Sequence, residues 1–242
     1  MISKNRIRFI KSLQQKKQRI ENGLFVIEGE KMVNEAIEWV PQHIDSIYHT
    51  SEYKNEIKND NTFSFNEITL QELKEISTLT TPNKVIAICR KLPTIDIKSN
   101  YLIALDGIQD PGNMGTIIRL ADWFGISHVI CSKETVDCYN PKVLQATMGA
   151  IYRVNVIYTD LVSFFKNNSL PVYGALLEGE NLFNCELKKN GIIVLGNEGN
   201  GISETIKNHI DIPITIPKYG HAESLNVATA GAIILGTFFQ KL

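Results

Sequence analysis

The sequence contains no apolar run long enough to cross a lipid bilayer and no apolar leader near its start, which argues against a membrane protein and predicts a soluble, cytoplasmic one. It also contains no C-x-x-C pair and no disulfide-rich spacing. Both absences predict a protein without disulfides or zinc, and none of the five histidines lies at a metal-ligand spacing. The four cysteines are Cys89, Cys131, Cys138 and Cys185.

Charge is nearly balanced, at a formal net value of −1, so the overall charge does not select a nucleic-acid partner. The distribution is uneven near the start of the chain, where no acidic residue precedes Glu21. A helix predicted from about Arg6 to Ile20 carries most of this basic run, which is typical either of a solvated face or of an RNA-facing patch. The basic residues are Lys4, Arg6, Arg8, Lys11, Lys16, Lys17 and Arg19.

The length of 242 residues suits two domains, each with its own core. The first third alternates predicted helices with strands such as "LFVIEG" and "IDSIYHT", the latter followed by a short helical segment. The polar stretch "KLPTIDIKSN", which contains Pro93, breaks this alternation. We therefore predict a small α/β domain over residues 1–92, a linker over 93–100 and a second domain over 101–242.

Apolar runs return from Tyr101 onward and alternate with helical segments, as expected for a parallel sheet covered on both faces. The predicted strands are "YLIALDG", "HVICS", "VNVIY", "PVYGALL", "GIIVLGN" and "IPITIP", and a long helix follows from about Glu223. The second domain is therefore predicted to be α/β. Because ligands collect at the carboxyl ends of parallel strands, the loops there are where the site is expected.

The first such loop is "LDGIQDPGNMGTIIRLADWFG". Pro111 and Gly112 predict a turn and Asn113 predicts a helix N-cap, with Arg119 less than two helical turns further on. A long cationic side chain and an amide are then within reach of the same loop end. The alternative is a capping Asn and an unrelated surface Arg.

The second loop, "LGNEGNGISE", follows an apolar strand and holds three glycines. It lacks both G-x-G-x-x-G and a P-loop lysine, which argues against a dinucleotide-binding dehydrogenase and against phosphate binding. Glycine permits close backbone approach, and Glu198 adds a carboxylate, a combination suited to an adenine or ribose edge. A plain turn with Ser203 as helix cap explains the glycines but gives Glu198 no role.

The third segment, "IPKYGHAESLNVATAGAIILGTFFQ", places Ser224 and Asn226 where the last helix is predicted to begin. Small residues along that helix predict close packing. An N-cap role for Glu223 or Ser224 is the simpler interpretation, although capping by either does not require Asn226.

These motifs in this order, N-x(5)-R, then L-G-N-E-G-x-G-I, then I-P followed by S-L-N-V, resemble the SpoU (TrmH-like) RNA 2'-O-ribose methyltransferases of the SPOUT superfamily. The resemblance covers residues 101–242. In addition, "FVIEGEKMVNEAI" resembles the start of that family's N-terminal substrate-binding domain, which is similar to ribosomal RNA-binding proteins.

The resemblance implies a trefoil-knotted catalytic domain that binds S-adenosylmethionine, a homodimer, and RNA as substrate, with ribosomal RNA favoured. It implies catalytic roles for Asn113, Arg119, Glu198, Ser224 and Asn226. It implies cofactor contacts from Leu195, Gly196, Asn197, Gly199, Gly201, Ile216, Pro217, Ser224 and Leu225. Transfer RNA as substrate and a non-catalytic RNA-binding protein on the same fold are the alternatives. No metal is implied.

The family assigns its arginine as the general base, but an arginine side chain keeps its proton in proteins. Binding the phosphate beside the target ribose suits the planar cation of Arg119 better. The sequence also departs from the family's "RAS" pattern, since Gln145 and Thr147 replace the Arg and the Ser. This departure predicts a changed RNA contact, for which Tyr139, Asn140 and Lys142 remain as candidates.

Overall fold

A computed structural model describes residues 2–53, 63–188 and 190–240. The helices are α1 (Lys4–Ser12), α2 (Lys16–Asn22), α3 (Glu30–Trp39), α4 (Leu70–Ile76), α5 (Pro111–Trp123), α6 (Pro141–Thr147), α7 (Leu161–Lys166), α8 (Glu204–Lys207) and α9 (Val227–Gln240). The strands are β1 (Leu24–Glu28), β2 (Ile44–His49), β3 (Ser64–Glu67), β4 (Val85–Arg90), β5 (Tyr101–Asp106), β6 (His128–Cys131), β7 (Asn155–Tyr158), β8 (Val172–Asn181), β9 (Gly191–Gly196) and β10 (Ile212–Thr215).

The contacts divide the chain into two compact units. The N-terminal unit comprises Met1–Pro93 and Tyr139–Tyr152, and the C-terminal unit comprises Thr94–Cys138 and Arg153–Leu242. The domain bounds predicted from the sequence stay a prediction, to which the structure adds that residues 139–152 pack with the N-terminal unit.

The N-terminal unit contains a four-stranded mixed sheet in the order β1-β4-β2-β3. The central strand β4 is antiparallel to both β1 and β2, and β2 is parallel to β3. Helices α1 and α4 cover one face through apolar side chains such as Ile10, Leu13, Leu73 and Ile76, all nearly fully buried. The short helix predicted after "IDSIYHT" falls mainly on residues 54–62 and so lies outside the described residues.

The basic run forms two helices, α1 and α2, and the prediction of one helix from Arg6 to Ile20 is wrong. The break follows from Arg19, which is 2% exposed and donates hydrogen bonds to the carbonyls of Leu13 (3.0 Å) and Gln14 (2.7 Å). These carbonyls lie just past the end of α1, and the cationic side chain satisfies them there. Arg6 is also engaged internally, since it donates to the Tyr48 hydroxyl at 2.7 Å.

The segment 139–152 attaches to β1 of the same unit. Gln145 Nε2 donates to the Glu28 carbonyl at 2.9 Å, and the rings of Tyr139 and Phe25 lie 4.5 Å apart. Tyr139, one of the candidate RNA contacts, and the substituted Gln145 therefore both make contacts inside this unit. Lys142 is exposed.

The C-terminal unit is built on a six-stranded sheet, entirely parallel, in the order β10-β8-β9-β5-β6-β7. This confirms the predicted α/β class. Alternate residues of the strands face opposite sides, as the period of two requires. Leu102, Ala104, Ile192 and Val194 pack in one cluster with residues of α7 and α8. On the opposite face α9 lies so close that a Cβ at Gly231 would meet Leu195 at 3.1 Å.

The order of the strands reverses between β5 and β9. From β5 the chain adds β6 and β7 on one side, whereas β8, β9 and β10 lie on the other. The two strands end at the same level, since Asp106 pairs with Gly196. The loops that follow them lead to helices on opposite faces of the sheet, and such a switch point is where open α/β sheets bind ligands.

Within residues 2–53, 63–188 and 190–240, no helix combines the length and apolarity needed to cross a bilayer, and no three His, Cys, Asp or Glu side chains are arranged to hold a metal ion. The four cysteines are buried free thiols.

Candidate functional site

Asn197, the first residue after β9, organises the glycine-rich loop. Its backbone N–H and carbonyl pair with those of Gly201 at 2.9 Å each, which closes the loop on itself. Its side-chain Oδ1 accepts from the backbone N–H groups of Gly199 (2.9 Å) and Asn200 (3.0 Å), and its Nδ2 donates to the Gly107 carbonyl at 2.7 Å. The loops after β5 and β9 are thus held together at the strand ends.

Two glycines of this loop are required by its own geometry. A Cβ at Gly196 would lie 2.2 Å from backbone atoms of Gly201 and Ile202, which no side chain allows. Gly201 has a φ of +68°, in the left-handed region that favours glycine. The close backbone approach predicted from the sequence is therefore present, and it occurs between two parts of the loop itself.

Glu198 holds the start of the neighbouring loop and helix. Its Oε2 accepts from the Gln109 N–H at 3.1 Å, and its Oε1 accepts from the Asp110 N–H at 3.0 Å and from Asn113 Nδ2 at 2.9 Å. Desolvation raises the pKa of Glu198, but the hydrogen bonds from Asn113 and from the backbone outweigh it, so the pKa lies below its ordinary value. The carboxylate is therefore kept ionised, a role that a plain turn would not give it.

This lowered pKa predicts a pH dependence of stability. A carboxyl group whose folded-state pKa is depressed stabilises the fold above its unfolded-state pKa and loses that contribution as the pH falls through the folded-state value. Glu198→Gln is expected to be less stable than the wild type at neutral pH, with the difference in free energy of unfolding shrinking in acid. Urea titrations from neutral pH to below the ordinary carboxyl range measure it. A constant difference would show that ionisation of Glu198 is not what stabilises the loop.

Asn113 lies in the first turn of α5 and is not its N-cap, so that prediction is wrong. The cap is Asp110, whose carboxylate accepts the Asn113 backbone N–H at 2.8 Å, with Pro111 as the first helical residue. Proline has no N–H and a suitable φ, so the D-P pair is the stronger start signal. The side chain of Asn113, in a residue that is 9% exposed, is thereby left for other contacts.

Asn226 caps the last helix. Its Oδ1 accepts from the N–H groups of Ala228 (3.0 Å) and Thr229 (3.2 Å), and α9 begins at Val227. The predictions of a helix start near Glu223 and of a cap at Glu223 or Ser224 are therefore wrong. An Asx side chain accepting two residues on competes with the helix backbone and fixes the start there.

Three of the five residues predicted to be catalytic form one chain of hydrogen bonds, which we call the amide relay. They are Glu198, Asn113 and Asn226. Asn113 Nδ2 donates to Glu198 and Asn113 Oδ1 accepts from Asn226 Nδ2 at 2.8 Å. An ionised carboxylate only accepts and the helix N–H groups only donate, so the two ends fix the orientation of both amides. The relay joins all three sequence motifs at the carboxyl ends of β5 and β9.

The structure does not bring Arg119 to the relay. Six residues separate it from Asn113, which places the two about 120° apart around the axis of α5. Asn113 is buried and Arg119 is exposed. In the part of the chain that is described, Arg119 makes no hydrogen bond or ion pair.

The remaining predicted cofactor contacts lie on the segment between β10 and α9, residues 216–226, which has no regular structure. Ile216 and Pro217 are partly exposed, and Ser224 and Leu225 are exposed. For residues 216–225 the described structure contains no backbone–backbone hydrogen bond, so their N–H and C=O groups are available to a ligand.

Sequence reasoning missed two carboxylates. Asp110 was detectable from the Asp-Pro pair that precedes the helix. Asp106, the last residue of β5, accepts the Ser203 N–H at 2.8 Å and ties down the far end of the glycine-rich loop. No local pattern indicates this contact, because the two residues are 97 positions apart.

Comparison with known proteins places this site in a family. Residues 100–236 match the SpoU rRNA methylase family, and residues 4–87 match the MRM3-like substrate-binding domain. The 23S rRNA (guanosine(2553)-2'-O)-methyltransferase RlmP of Bacillus subtilis (strain 168) is 30% identical over 229 residues, which are 93% of this chain and 92% of that protein.

Solved structures agree with the sequence matches. A TrmH-family protein from Porphyromonas gingivalis covers 100% of both chains with a TM-score of 0.91 and 35% identity. The AdoMet-bound rRNA methyltransferase from Sinorhizobium meliloti shares the fold, with a TM-score of 0.86, 24% identity, and coverage of 100% of this chain and 97% of that one. With the three motifs joined by hydrogen bonds and the sequence matched over more than half its length, the chain belongs to the SpoU rRNA methylase family.

Proposed function

We propose that this protein transfers a methyl group from S-adenosylmethionine to the ribose 2'-hydroxyl of RNA, with ribosomal RNA as the substrate. The observation that carries the proposal is the amide relay, which joins residues of all three family motifs at the topological switch point of a parallel sheet. The near full-length similarity to a protein named as a 23S rRNA 2'-O-methyltransferase supports ribosomal RNA over transfer RNA.

The segment 216–225 offers backbone groups that fit the proposed cofactor, whose sulfonium carries the methyl group to be transferred. The loop Leu195–Gly201 and the segment 216–225 would hold it, the first through Leu195, Gly196, Asn197, Gly199 and Gly201, the second through Ile216, Pro217, Ser224 and Leu225. Exposed N–H and C=O groups that are not paired with other backbone in residues 216–225 support this assignment. Such groups can bind an adenine edge or the methionine carboxylate without any charged side chain.

The amide relay acts by positioning. A 2'-hydroxyl is a weak nucleophile, so its alignment with the methyl group contributes much of the rate. Both oxygens of Glu198 already accept hydrogen bonds and its pKa is lowered, which makes it a poor proton acceptor. We assign to Glu198, Asn113 and Asn226 the task of fixing the β5–α5 loop and the start of α9 beside the ribose. Ser224 lies two residues before Asn226 in the sequence.

Arg119 is proposed to bind the RNA phosphate next to the target ribose through its planar cation. We propose a homodimer in which Arg119 of one protomer serves the site of its partner, and the exposure of Arg119 on another face of α5 supports this arrangement. We place the reaction in the cytoplasm, in keeping with the four free thiols and the ribosomal substrate.

Labelled methyl transfer to separated ribosomal and transfer RNA, followed by mapping of alkali-resistant linkages, tests the proposal. Label in ribosomal RNA at a resistant linkage is the expected result, because a 2'-O-methyl group blocks alkaline cleavage. Label confined to transfer RNA would contradict the substrate class. No label with the cofactor bound would favour a non-catalytic RNA-binding protein.

The exposed cations of α1 are predicted to contact RNA phosphates. Each contact adds about 0.7 to 0.9 to the slope of log affinity against log salt. Arg8→Ala combined with Lys11→Ala is therefore expected to lower the slope by about 1.5, because both side chains are exposed. The affinity for substrate RNA measured across a salt series gives the slope. Truncation of residues 1–90 would be less informative, since it removes the strand on which Gln145 is fixed.

A matched variant controls for the loss of charge. Lys98→Ala combined with Lys166→Ala removes two exposed cations that lie in the C-terminal unit instead. Its slope is expected to equal that of the wild type. Equal slopes for both double variants would identify α1 as a solvated face.

A further inference from the structure

The middle of the segment 216–226 carries an aromatic side chain that the fold does not use. Tyr219 is 94% exposed, more than any other large apolar side chain in the described ranges. Among those residues it makes no hydrogen bond and no ring contact. Its neighbour Gly220 is equally open, since a Cβ there would have no atom within 4 Å. A tyrosine ring that is fully exposed to water buries no apolar surface, so it does not stabilise the fold.

Position and charge indicate what the ring meets. The proposed cofactor contacts flank it closely in sequence, with Ile216 and Pro217 before it and Ser224 and Leu225 after it. Lys218 and His221 stand on either side of the Tyr219–Gly220 pair, both exposed, and no acidic residue lies between Asp211 and Glu223. An exposed aromatic ring beside a cation is the combination that binds unpaired nucleotides, in which the base stacks on the ring and the phosphate contacts the cation.

We propose that Tyr219 is the stacking platform for an unpaired base of the substrate RNA at the cofactor site, and that Lys218 binds an adjacent phosphate. This inference rests on the proposed function and adds the element that recognises the substrate. Stacking accepts any base but requires that the base be out of a duplex. Tyr219 therefore selects loops, bulges and open strands, and it leaves the choice of the site within them to other contacts.

Steady-state kinetics of this protein with the RNA that it methylates test the role of the ring. Stacking on an aromatic side chain is worth roughly 1 to 3 kcal/mol per base, so Tyr219→Ala is expected to raise the KM for RNA by about 5-fold to 150-fold. The value of kcat is expected to stay within about twofold, because a contact made equally in the ground and transition states changes only binding. Tyr219→Phe, which keeps the ring, is expected to behave as the wild type. Leu177→Ala, at a side chain that is 77% exposed, is the control for loss of exposed apolar surface and is expected to change neither value.

The outcomes separate this inference from the function on which it rests. A wild-type protein that methylates no RNA would remove the proposed function, whereas an active wild type with an unchanged Tyr219→Ala variant would overturn only the stacking role. A weaker affinity of Tyr219→Ala for S-adenosylmethionine, measured by calorimetry, would make the ring a cofactor contact and overturn the inference. A change of oligomeric state in sedimentation would assign the ring to a protein interface, with the same consequence.

The phosphate contact has its own measurement. Lys218→Ala is expected to lower the salt slope of RNA affinity by about 0.7, the value for one contact to a single strand. An unchanged slope would remove Lys218 from the RNA interface.

Discussion

Asn113→Asp is expected to abolish methyl transfer and to destabilise the C-terminal unit. The substitution places a second carboxylate where Asn113 Nδ2 now donates to Glu198 at 2.9 Å, in a residue that is 9% exposed. Two carboxylates at this distance repel each other. The new carboxylate is also buried, so water cannot solvate its charge. We expect a loss of about 3 kcal/mol in the free energy of unfolding at neutral pH, from urea titration. The deficit is expected to shrink in acid, since a proton shared between the carboxylates removes the repulsion.

Asn113→Ala is the matched control, because it removes the same side-chain hydrogen bonds without adding a charge. It is expected to lose activity with a smaller loss of stability at neutral pH, because it removes the hydrogen bond to Glu198 without adding a repulsive charge. If Asn113→Asp were as stable and as active as the wild type, the contact between Asn113 and Glu198 would not organise the site.

Arg119→Ala is expected to bind S-adenosylmethionine as the wild type does and to lose methyl transfer by about two orders of magnitude or more. The reason is that Arg119 makes no contact with the amide relay or with the loops proposed to hold the cofactor, yet it offers an exposed planar cation for the RNA phosphate. Calorimetric cofactor binding and single-turnover methylation measure the two effects separately. Unchanged turnover would remove Arg119 from the mechanism.

A mixed dimer tests whether Arg119 serves the partner's site. Consider a dimer of one Arg119→Ala chain and one Glu198→Gln chain. If each site takes Arg119 from one protomer and Glu198 from the other, one of the two sites contains both wild-type residues. Each variant alone is expected to be inactive, Glu198→Gln because it weakens the hydrogen bonds that fix the β5–α5 loop. Activity is then expected to return when the two variants are refolded or expressed together. A site contained within one protomer would leave every combination damaged, so continued inactivity would contradict the shared site.

The elements that the sequence predicted well are those whose signal is local and strong. The run "GIIVL" is typical of a buried parallel strand, and β9 is buried along its whole length. The helix starts were predicted less well. Asn113 and Ser224 are both reasonable caps by residue type, but Asp110 and Asn226 hold those positions. Several Asx and Ser residues stand near each start, and the hydrogen bonds that choose among them depend on which neighbours the fold supplies.

Gln145 illustrates the same limit. From the sequence it is a departure from a family pattern, which predicts a changed RNA contact. In the structure its amide donates to the Glu28 carbonyl, 117 positions away, and fixes the segment 139–152 to the N-terminal unit. Sequence spacing carries no information about a partner so distant, so the role of the substitution emerged only from the packing.

By itself, the sequence determined the α/β class, the parallel sheet, the three motif-bearing segments and the resemblance to the SpoU methyltransferases, because apolar periodicity and short motifs are written in neighbouring residues. The tertiary structure decided how those segments act together. It made Glu198 the anchor of the β5–α5 loop, turned Asn113 and Asn226 toward each other, separated Arg119 from both and left Tyr219 in water. Each of these results depends on hydrogen bonds and burial between residues far apart in the chain, which only the folded sheet brings within reach.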